Sequence, residues 1–400
     1  MPESGEDGRG RDALPVDSGI VRDVNARRLL GVLRDHGPAT QPELVRRTGL
    51  ARPTVAAIVR DLLARGAVVD AGVDRGATGR PAMLLAFDPR WATVAVCRVL
   101  PHVLDVVVAD SAGTELGRLQ REHPGSVGPG LDVLAEMITS LSAGLRVPRP
   151  AAATVLLGAR VDPTTGAGAA AAFGGGAPVT VGELAERLAL PVVVLNPAAS
   201  AALGVARGGR HRDAVVVFLD HGIGLGIVSA GRVLTGASGG TGELGHCRLP
   251  GRDQVCACGR VGCLETVSAG WAIRRRVSGL LRRPDDHATL VELEGLGDER
   301  VDAVLDEAAW HLGVAGSWVV NLLDPTTVLL GGSPFAAGAS RFLATFATAV
   351  RENSVADNVS DLRIDFAGDR ADVEGAVCAA LDLLPFGSPG APVARIRPDR

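Results

Sequence analysis

One histidine and three cysteines fall within a single short stretch, and they constrain the local fold more than any other feature of the chain. The four side chains are His246, Cys256, Cys258 and Cys263. One imidazole and three thiolates form a tetrahedral set suited to a structural Zn²⁺ ion. Gly259 and Gly262 permit the sharp turns that bring the sulfurs around one ion. Because the protein fills all four positions, no place remains for an activated water, and a hydrolytic zinc is not expected.

The remaining cysteines leave alternatives open. Cys247 lies directly beside His246 and is an alternative metal ligand, while Cys97 and Cys378 have the apolar surroundings of core residues. A redox disulfide within the cluster is the alternative to metal. The close spacing of four metal-type ligands in one segment favours metal over disulfides.

The first part of the chain follows the order of a winged helix-turn-helix domain, which we place at residues 20–88. Apolar periodicity, a Pro near a helix start and a Gly after a helix end predict three helices and then two strands. These elements cover about 24–36, 41–47, 52–65, 67–70 and 82–86. Residues 1–19 are polar and acidic, without the apolar core of a signal peptide, and are predicted to be a disordered tail.

Arginines at two places in this head suggest that it reads DNA. The third helix begins with Ala51-Arg52-Pro53-Thr54, and such N-terminal residues meet base edges and phosphates in a major groove. The loop 72–81 is a candidate wing, since an Arg between Gly and Pro can enter a narrow minor groove. The predicted DNA contacts are Gln41, Arg52, Pro53, Thr54, Arg75 and Arg80. A winged helix that binds protein is the alternative.

The distribution of charge agrees with a DNA partner. The net charge is −4, but residues 20–85 hold 11 Arg against 6 Asp and Glu, a balance of +5. All basic residues are Arg, so every cationic contact must use a guanidinium. A basic head on an acidic body is typical of a DNA-binding module. Because no apolar run reaches about 18 residues, we expect no membrane span and a cytoplasmic location.

From about residue 92 strands alternate with helices, which predicts an α/β body over 92–385 and a loose tail over 386–400. Two rounds of strand hairpins with βα units indicate two lobes with a ligand cleft between them. The run from His221 to Gly226 carries Gly at alternate positions in a hairpin. Such glycines let backbone N–H groups approach a phosphate or a sugar, although glycines are common in hairpin turns.

Together these motifs resemble the ROK family of repressors, open-reading-frame proteins and sugar kinases, over about 22–385. The run GELGH…CACGRVGCLE is its most specific part, and TGLARPTV with GRPAMLLAFDP is similar to the head of the repressor branch. The resemblance implies a two-lobed actin-like/hexokinase-like body and the zinc ligands already named. It also implies that one group of side chains holds sugar hydroxyls: Asn196, Glu243, His246 and Glu265. His246 would then bind zinc through one ring nitrogen and face the sugar with the other.

Two departures from the kinases of this family imply a body without kinase activity. The kinases carry an Asn-Asp pair in which the Asp is the catalytic base, whereas this chain has Asn196-Pro197. Residues 97–102 lack the Asp, Gly and Thr of the first phosphate loop. We therefore predict a DNA-binding regulator, a repressor, that responds to a sugar or sugar-derivative effector and acts as a homodimer or homotetramer. An active sugar kinase with a DNA-binding head and a ligand-independent DNA-binding dimer scaffold are the alternatives.

Overall fold

A computed structural model of the 400-residue chain describes most of its residues. The described residues are 18–74, 81–100, 102–122, 127–162, 165–166, 179–209, 211–284, 288–332 and 338–384. They form two compact units, a head that ends at Asp88 and a body that runs from Pro89 to Leu384. The predicted tail at 386–400 and residues 1–17 of the N-terminal tail lie outside the described residues.

The head has the element order of a winged helix, as the sequence predicted. Its elements are α1 (Ser18–His36), β1 (Ala39–Thr40), α2 (Gln41–Thr48), α3 (Arg52–Arg65), β2 (Val68–Asp74) and β3 (Ala82–Phe87). The strands form an antiparallel sheet in the order β1-β3-β2. Three details differ from the sequence analysis. Helix α1 begins at Ser18 rather than near 24, so it includes the last two residues of the predicted disordered tail. Strand β1 was not predicted, because two residues show no periodicity, and β2 continues to Asp74 rather than ending near 70.

Apolar side chains from all three helices and from β3 form the core of the head. The fully buried ones include Leu29, Leu33, Leu44, Val55, Ile58, Leu62 and Leu85. The start of α2 is capped, since the backbone N–H of Thr40 donates to Glu43 Oε2 at 2.9 Å. Gly49 ends α2 with φ 68°, a left-handed conformation that glycine adopts without strain. The tight turn between α2 and α3 therefore follows directly from the local sequence.

The first lobe of the body is a five-stranded sheet with helices. Its elements are β4 (Thr93–Val99), β5 (Val103–Asp110), β6 (Glu115–Glu122), α4 (Val127–Leu145), β7 (Ala152–Leu157), α5 (Val181–Leu188) and β8 (Val192–Leu195). The strand order is β6-β5-β4-β7-β8. Strands β4, β7 and β8 are parallel, so their carboxyl ends lie at one edge of the sheet. Ligands of open α/β sheets bind at such an edge.

The second lobe repeats this plan and adds more helices. Its elements are α6 (Pro197–Ala206), β9 (Ala214–Leu219), β10 (Ile223–Ser229), β11 (Arg232–Val233), α7 (Glu265–Ser268), α8 (Gly270–Leu281), α9 (Leu290–Glu294), α10 (Glu299–Leu323), β12 (Thr327–Gly331), α11 (Ser340–Asn353), α12 (Ala356–Val359), β13 (Arg363–Phe366) and α13 (Ala371–Leu381). The strand order is β11-β10-β9-β12-β13. None of the helices described is long and apolar enough to cross a membrane.

Two helices connect the lobes, because α6 packs on β9 and β10 while α13 packs on β4 and β7. They touch through glycines: a Cβ added at Gly375 would lie 1.7 Å from the Ser200 carbonyl oxygen. The hairpin glycines serve the same packing, since a Cβ at Gly226 would lie 2.2 Å from the Ala198 carbonyl oxygen. The sequence analysis left two interpretations of these hairpin glycines open, ligand approach and an ordinary turn. Gly226 faces helix α6, whereas Gly222 and Gly224 line the cavity, so ligand approach stays a prediction for those two.

Candidate metal centre and ligand cleft

The predicted metal ligands come together in the structure. One ligand atom from each of His246, Cys256, Cys258 and Cys263 lies within 4.8 Å of the others. His246 Nδ1 is 3.7 Å from Cys256 Sγ, and the Cys258 and Cys263 sulfurs are 3.6 Å apart. Tetrahedral zinc with ordinary Zn–N and Zn–S bonds requires N···S and S···S separations of about 3.6 and about 3.8 Å. The donor set therefore fits Zn²⁺ in both chemistry and spacing.

The zinc loop, residues 246–263, is a small hairpin closed by its own backbone. Val255 pairs with Val261, and Gly259 and Gly262 have φ of 84° and 80°, which explains the glycines at these turns. A Cβ at Gly262 would lie 2.6 Å from the Arg252 carbonyl oxygen. The loop is therefore built to hold its three sulfurs close together.

The six cysteines divide between the cluster and other places. Among the described residues, Cys247 does not belong to the group of converging ligand atoms, although it follows His246. Cys97 and Cys378 are buried, as expected of core residues. The sequence analysis therefore separated the cysteines correctly by their surroundings.

The thiols of the cluster differ in acidity. Burial raises the pKa of Cys256, and it raises the pKa of Cys263 to about 12. The backbone N–H of Arg260 hydrogen-bonds Cys258 and holds its pKa below the ordinary value. A metal ion must displace the protons of the two buried thiols, so binding is expected to release protons.

The four predicted sugar contacts line one cavity of about 520 Å³ between the two lobes of the body. They are Asn196, Glu243, His246 and Glu265. The zinc loop forms part of the same wall through Ala257 and Cys258. The structure thus brings the predicted contacts together from three separate parts of the chain, and their role in ligand binding stays a prediction.

Close backbone approaches hold Glu265 and Glu243 in place. Glu265 Oε1 accepts a hydrogen bond of 2.9 Å from the Ile223 N–H. Gly245 makes room for this carboxylate, since a Cβ there would lie 2.6 Å from Glu265 Cγ. A Cβ at Gly242 would lie 1.8 Å from a carbonyl oxygen of β10, so the segment before Glu243 is pressed against that strand. The glycines of the GELGH motif therefore make room for the Glu265 carboxylate and place the backbone at Glu243 against β10.

His246 has two different faces. Its Nδ1 points to the cysteines, 3.7 Å from Cys256 Sγ, and its Nε2 lies 3.8 Å from Glu243 Oε2 at the cavity. Asn196 is partly engaged, because its Oδ1 caps α6 at the Ala198 N–H and its Nδ2 donates to the Ala159 carbonyl at 3.3 Å. The geometry is the one expected if His246 serves metal and ligand together.

Several side chains at the cavity were not predicted from the sequence. They are Arg98, Arg160, Asp220, His221, Thr241, Trp271 and Asp372. Arg275 stacks on Trp271, with its guanidinium carbon 5.2 Å from the ring centroid. Most follow strand ends or short turns, and the position of a residue at a carboxyl strand end is the one signal that could have indicated them.

At two positions where ROK sugar kinases carry residues for phosphoryl transfer, this chain has other residues. Pro197 is the first residue of α6, with Asn196 as its N-cap, so proline suits the helix start. Arg98 lies near the end of β4, in the stretch where the kinases carry their first phosphate loop; it is 5% exposed and binds Asp372 at 3.0 Å. Asp105 lies 3.6 Å from the same guanidinium. Two carboxylates therefore compensate this cation within the protein.

In the head, the residues at the start of α3 are accessible. Arg52 and Pro53 are exposed and Thr54 is half-buried, while Gln41 is exposed at the start of α2. The N-cap Ala51 has no side-chain oxygen that could bind the first N–H groups of α3. Arg75 and Arg80 of the predicted wing lie outside the described residues. The first turn of α3 thus presents a cation and uncapped amides on one surface.

A model of the ROK family matches residues 107–382, which is more than half of the chain. The chain belongs to the ROK family. A model of the MarR family matches residues 23–75, within the head. The predicted family, its winged helix-turn-helix head and its two-lobed ROK body are confirmed.

Similar proteins include regulators and kinases of this family. The DNA-binding transcriptional dual regulator NagC of Escherichia coli K12 is 26% identical over 336 residues, covering 78% of this chain and 81% of that protein. A crystal structure of a ROK family transcriptional regulator, a homolog of the E. coli MLC protein, covers 92% of this chain and 97% of its own, with a TM-score of 0.75 and 23% identity. The ROK hexokinase from Thermus thermophilus covers 72% of this chain and 98% of its own, with a TM-score of 0.56 and 26% identity.

Proposed function

We propose that this ROK protein is a DNA-binding transcriptional regulator, a repressor, whose body binds a sugar or sugar derivative without phosphorylating it. One observation carries the proposal: a solved ROK family transcriptional regulator covers 92% of this chain, a share that exceeds the body and therefore includes part of the head. The hexokinase match covers 72% of the chain, a share close to that of the body alone. The comparisons confirm the predicted class of protein, a ROK transcriptional regulator. Its ligand, its operator and its oligomeric state are part of the proposal.

The head supplies the DNA-binding surface. We assign the major groove to α3, with Arg52 bonding guanine or phosphate and Thr54 a phosphate oxygen. The uncapped N–H groups of the first turn add a partial positive charge that attracts phosphate. Gln41 contacts the backbone, and Arg75 and Arg80 enter the minor groove as a wing.

Two heads on one palindromic operator require a symmetric assembly, so we propose a homodimer or homotetramer that acts in the cytoplasm. A sugar in the cleft favours one angle between the lobes and thereby shifts the population of DNA-competent arrangements. Zinc, held by His246 and the three cysteines, fixes the imidazole whose other nitrogen faces the sugar. The metal is structural, since the protein supplies four ligands.

Phosphoryl transfer is disfavoured by two features of the cleft. A general base contributes about 10²- to 10⁴-fold to such a reaction, and Pro197 has no group that accepts a proton. Arg98, at the position of the phosphate loop, is already paired with Asp372. We therefore expect no sugar-dependent consumption of ATP beyond the background rate.

The test is a selection of bound fragments from random DNA by the full-length protein, repeated with and without a panel of sugars, glycosides and sugar phosphates. We expect an enriched palindrome, weaker retention when one of these ligands is present, and no sugar phosphate formed with ATP. Robust phosphorylation of a hexose would replace the proposal with a kinase that carries a DNA-binding head. Enrichment that none of these ligands alters would leave a ligand-independent scaffold instead.

A further inference from the structure

Apolar side chains from both lobes line much of the cavity. They include Val99, Leu100, Leu156, Pro197, Phe218 and Ile223. Leu100 follows β4 and Pro197 follows β8, and both are partly exposed. The other four are 6% exposed or less, so they border the cavity mainly from the core. Leu100 and Pro197 therefore form the accessible apolar wall.

The charges in the cavity do not favour an anionic ligand. Arg98 binds Asp372 at 3.0 Å and lies 3.6 Å from Asp105, and Arg118 donates to the same Asp105 at 2.9 Å. This buried group contains two guanidinium groups and two carboxylates, so its net charge is zero.

The other charged side chains that the structure describes at the cavity carry an excess of negative charge. Three are carboxylates, namely Asp220, Glu243 and Glu265, and the fourth is Arg160. A phosphate or nucleotide placed here would be desolvated against apolar side chains and repelled by carboxylates, which makes its binding unfavourable. The excess acid also argues against a sugar phosphate as the occupant.

The size of the cavity indicates a ligand that is larger than one sugar ring. A volume of about 520 Å³ lies in the range of pockets that enclose drug-sized molecules, which exceed a single sugar ring. The polar groups are gathered at Glu243, His246 and Glu265. A ligand that fills the cavity therefore places hydroxyl groups at that end and apolar atoms along the wall formed by Leu100 and Pro197.

We infer that the effector is an uncharged glycoside with an aryl or alkyl substituent, and not a free sugar or a sugar phosphate. This inference rests on the proposed sugar-responsive regulator and specifies the ligand class of its cleft. The sugar ring donates and accepts hydrogen bonds at Glu243, His246 and Glu265. The apolar substituent lies against Leu100 and Pro197, where burial removes it from water.

The test is calorimetric titration of the full-length, zinc-loaded protein with matched ligands. The probes are phenyl and methyl glycosides of glucose, galactose, xylose and N-acetylglucosamine, together with the hexose 6-phosphates. For the sugar that binds, we expect the phenyl glycoside to bind at least tenfold more tightly than the methyl glycoside. The 6-phosphate is expected to bind more weakly than either.

A single substitution tests where in the cavity the apolar substituent of the glycoside binds. Leu100→Asn is expected to lower the affinity for the phenyl glycoside to that of the methyl glycoside, because a polar amide replaces part of the apolar wall. Leu234→Asn is the matched control, since Leu234 is 41% exposed and does not line the cavity. If Leu234→Asn loses the preference for the phenyl glycoside to the same extent, Leu100 is not part of the binding site for the substituent.

The remaining outcomes separate this inference from the function on which it rests. Equal binding of phenyl and methyl glycosides, or tighter binding of a hexose 6-phosphate, overturns the inference and leaves a sugar-responsive regulator. If none of the sugars, glycosides and phosphates binds, the sugar-responsive function and the inference both fail.

Discussion

Arg252 of the zinc loop donates a hydrogen bond of 2.7 Å from Nη2 to Glu307 Oε1 on α10. The same nitrogen lies 2.6 Å from His311 Nε2, one turn further along the helix. Arg276 of α8 donates to the other oxygen of Glu307. The Arg252 side chain therefore fastens the zinc loop to α10, and Glu307 extends the connection to Arg276 of α8.

We predict that Arg252→Ala loosens the zinc loop. The lost charge-assisted hydrogen bonds are expected to lower the stability of the zinc-bound protein by about 1–2 kcal/mol. Release of zinc to an excess of a coloured chelator should become several times faster, since opening of the loop precedes release. Arg300→Ala is the control, because Arg300 makes a comparable ion pair with Asp298 at an exposed position of the same helix. Equal release rates in the two variants would show that Arg252 does not hold the loop.

The same group of side chains predicts a pH dependence. Burial lowers the pKa of His311, and the cations of Arg252 and Arg276 lower it further, against the opposing effect of Glu307. As the pH falls below the ordinary histidine value of about 6.5, the unfolded chain takes up a proton that the folded protein refuses. Stability therefore decreases towards acid pH through this residue.

The measurement is the unfolding temperature between pH 7.5 and 5.5, in wild type and His311→Gln. Protonation of the zinc ligands affects both proteins alike, so their difference isolates His311. As the pH falls over this range, the unfolding temperature of the wild type should decrease more than that of the variant, because glutamine does not titrate. If the unfolding temperatures of the two proteins change with pH by the same amount, His311 is not held neutral in the folded state.

The cysteines provide a matched test of the metal centre. Cys258→Ser removes one of the four converging ligands and should reduce the zinc content well below one ion per chain, with a lower unfolding temperature. Cys247→Ser leaves all four ligands in place and should retain the ion, although Cys247 follows His246 directly. Zinc is measured by elemental analysis after dialysis. Retention of zinc by Cys258→Ser, or loss of zinc from Cys247→Ser, would show that the ion is bound by a different set of side chains.

The features that the sequence predicted well are local ones. The zinc ligands Cys256, Cys258 and Cys263 lie within one hairpin, and the turns at Gly49 and Gly66 follow from glycine in the left-handed region. Each of these depends on residues a few positions apart, so spacing and residue type are sufficient. The helices of the head were predicted for the same reason.

The features that the sequence did not predict depend on contacts between distant parts of the chain. Arg98 and Asp372 are separated by 274 positions, and neither lies in a motif that indicates its partner. Arg252 and Glu307 are likewise on different elements. The role of Gly226 stayed open in the sequence, because a glycine that admits a helix and one that admits a phosphate look the same there. Tertiary packing decides between these roles.

The DNA-binding surface leads to a prediction that uses two arginines of one helix. Arg52 lies in the first turn of α3, and Arg60 lies on the same helix two turns later, also exposed. Replacing either by Ala removes the same charge. We expect Arg52→Ala to weaken binding to the selected operator by about 1–3 kcal/mol, because base and phosphate contacts come from the helix N-terminus. Arg60→Ala should cost less, and binding to random DNA should change little in both.

Fluorescence anisotropy with the operator and with a scrambled duplex, at two salt concentrations, gives the affinities and the salt dependence. A loss confined to the operator in Arg52→Ala indicates a base contact, whereas an equal loss on both duplexes with a shallower salt dependence indicates a phosphate contact. The thermal shift given by the bound glycoside should be the same in both variants as in wild type, because the cleft lies wholly within the body. If Arg60→Ala weakens operator binding more than Arg52→Ala does, the groove is read by a different part of α3 and the assignment of its N-terminus is wrong.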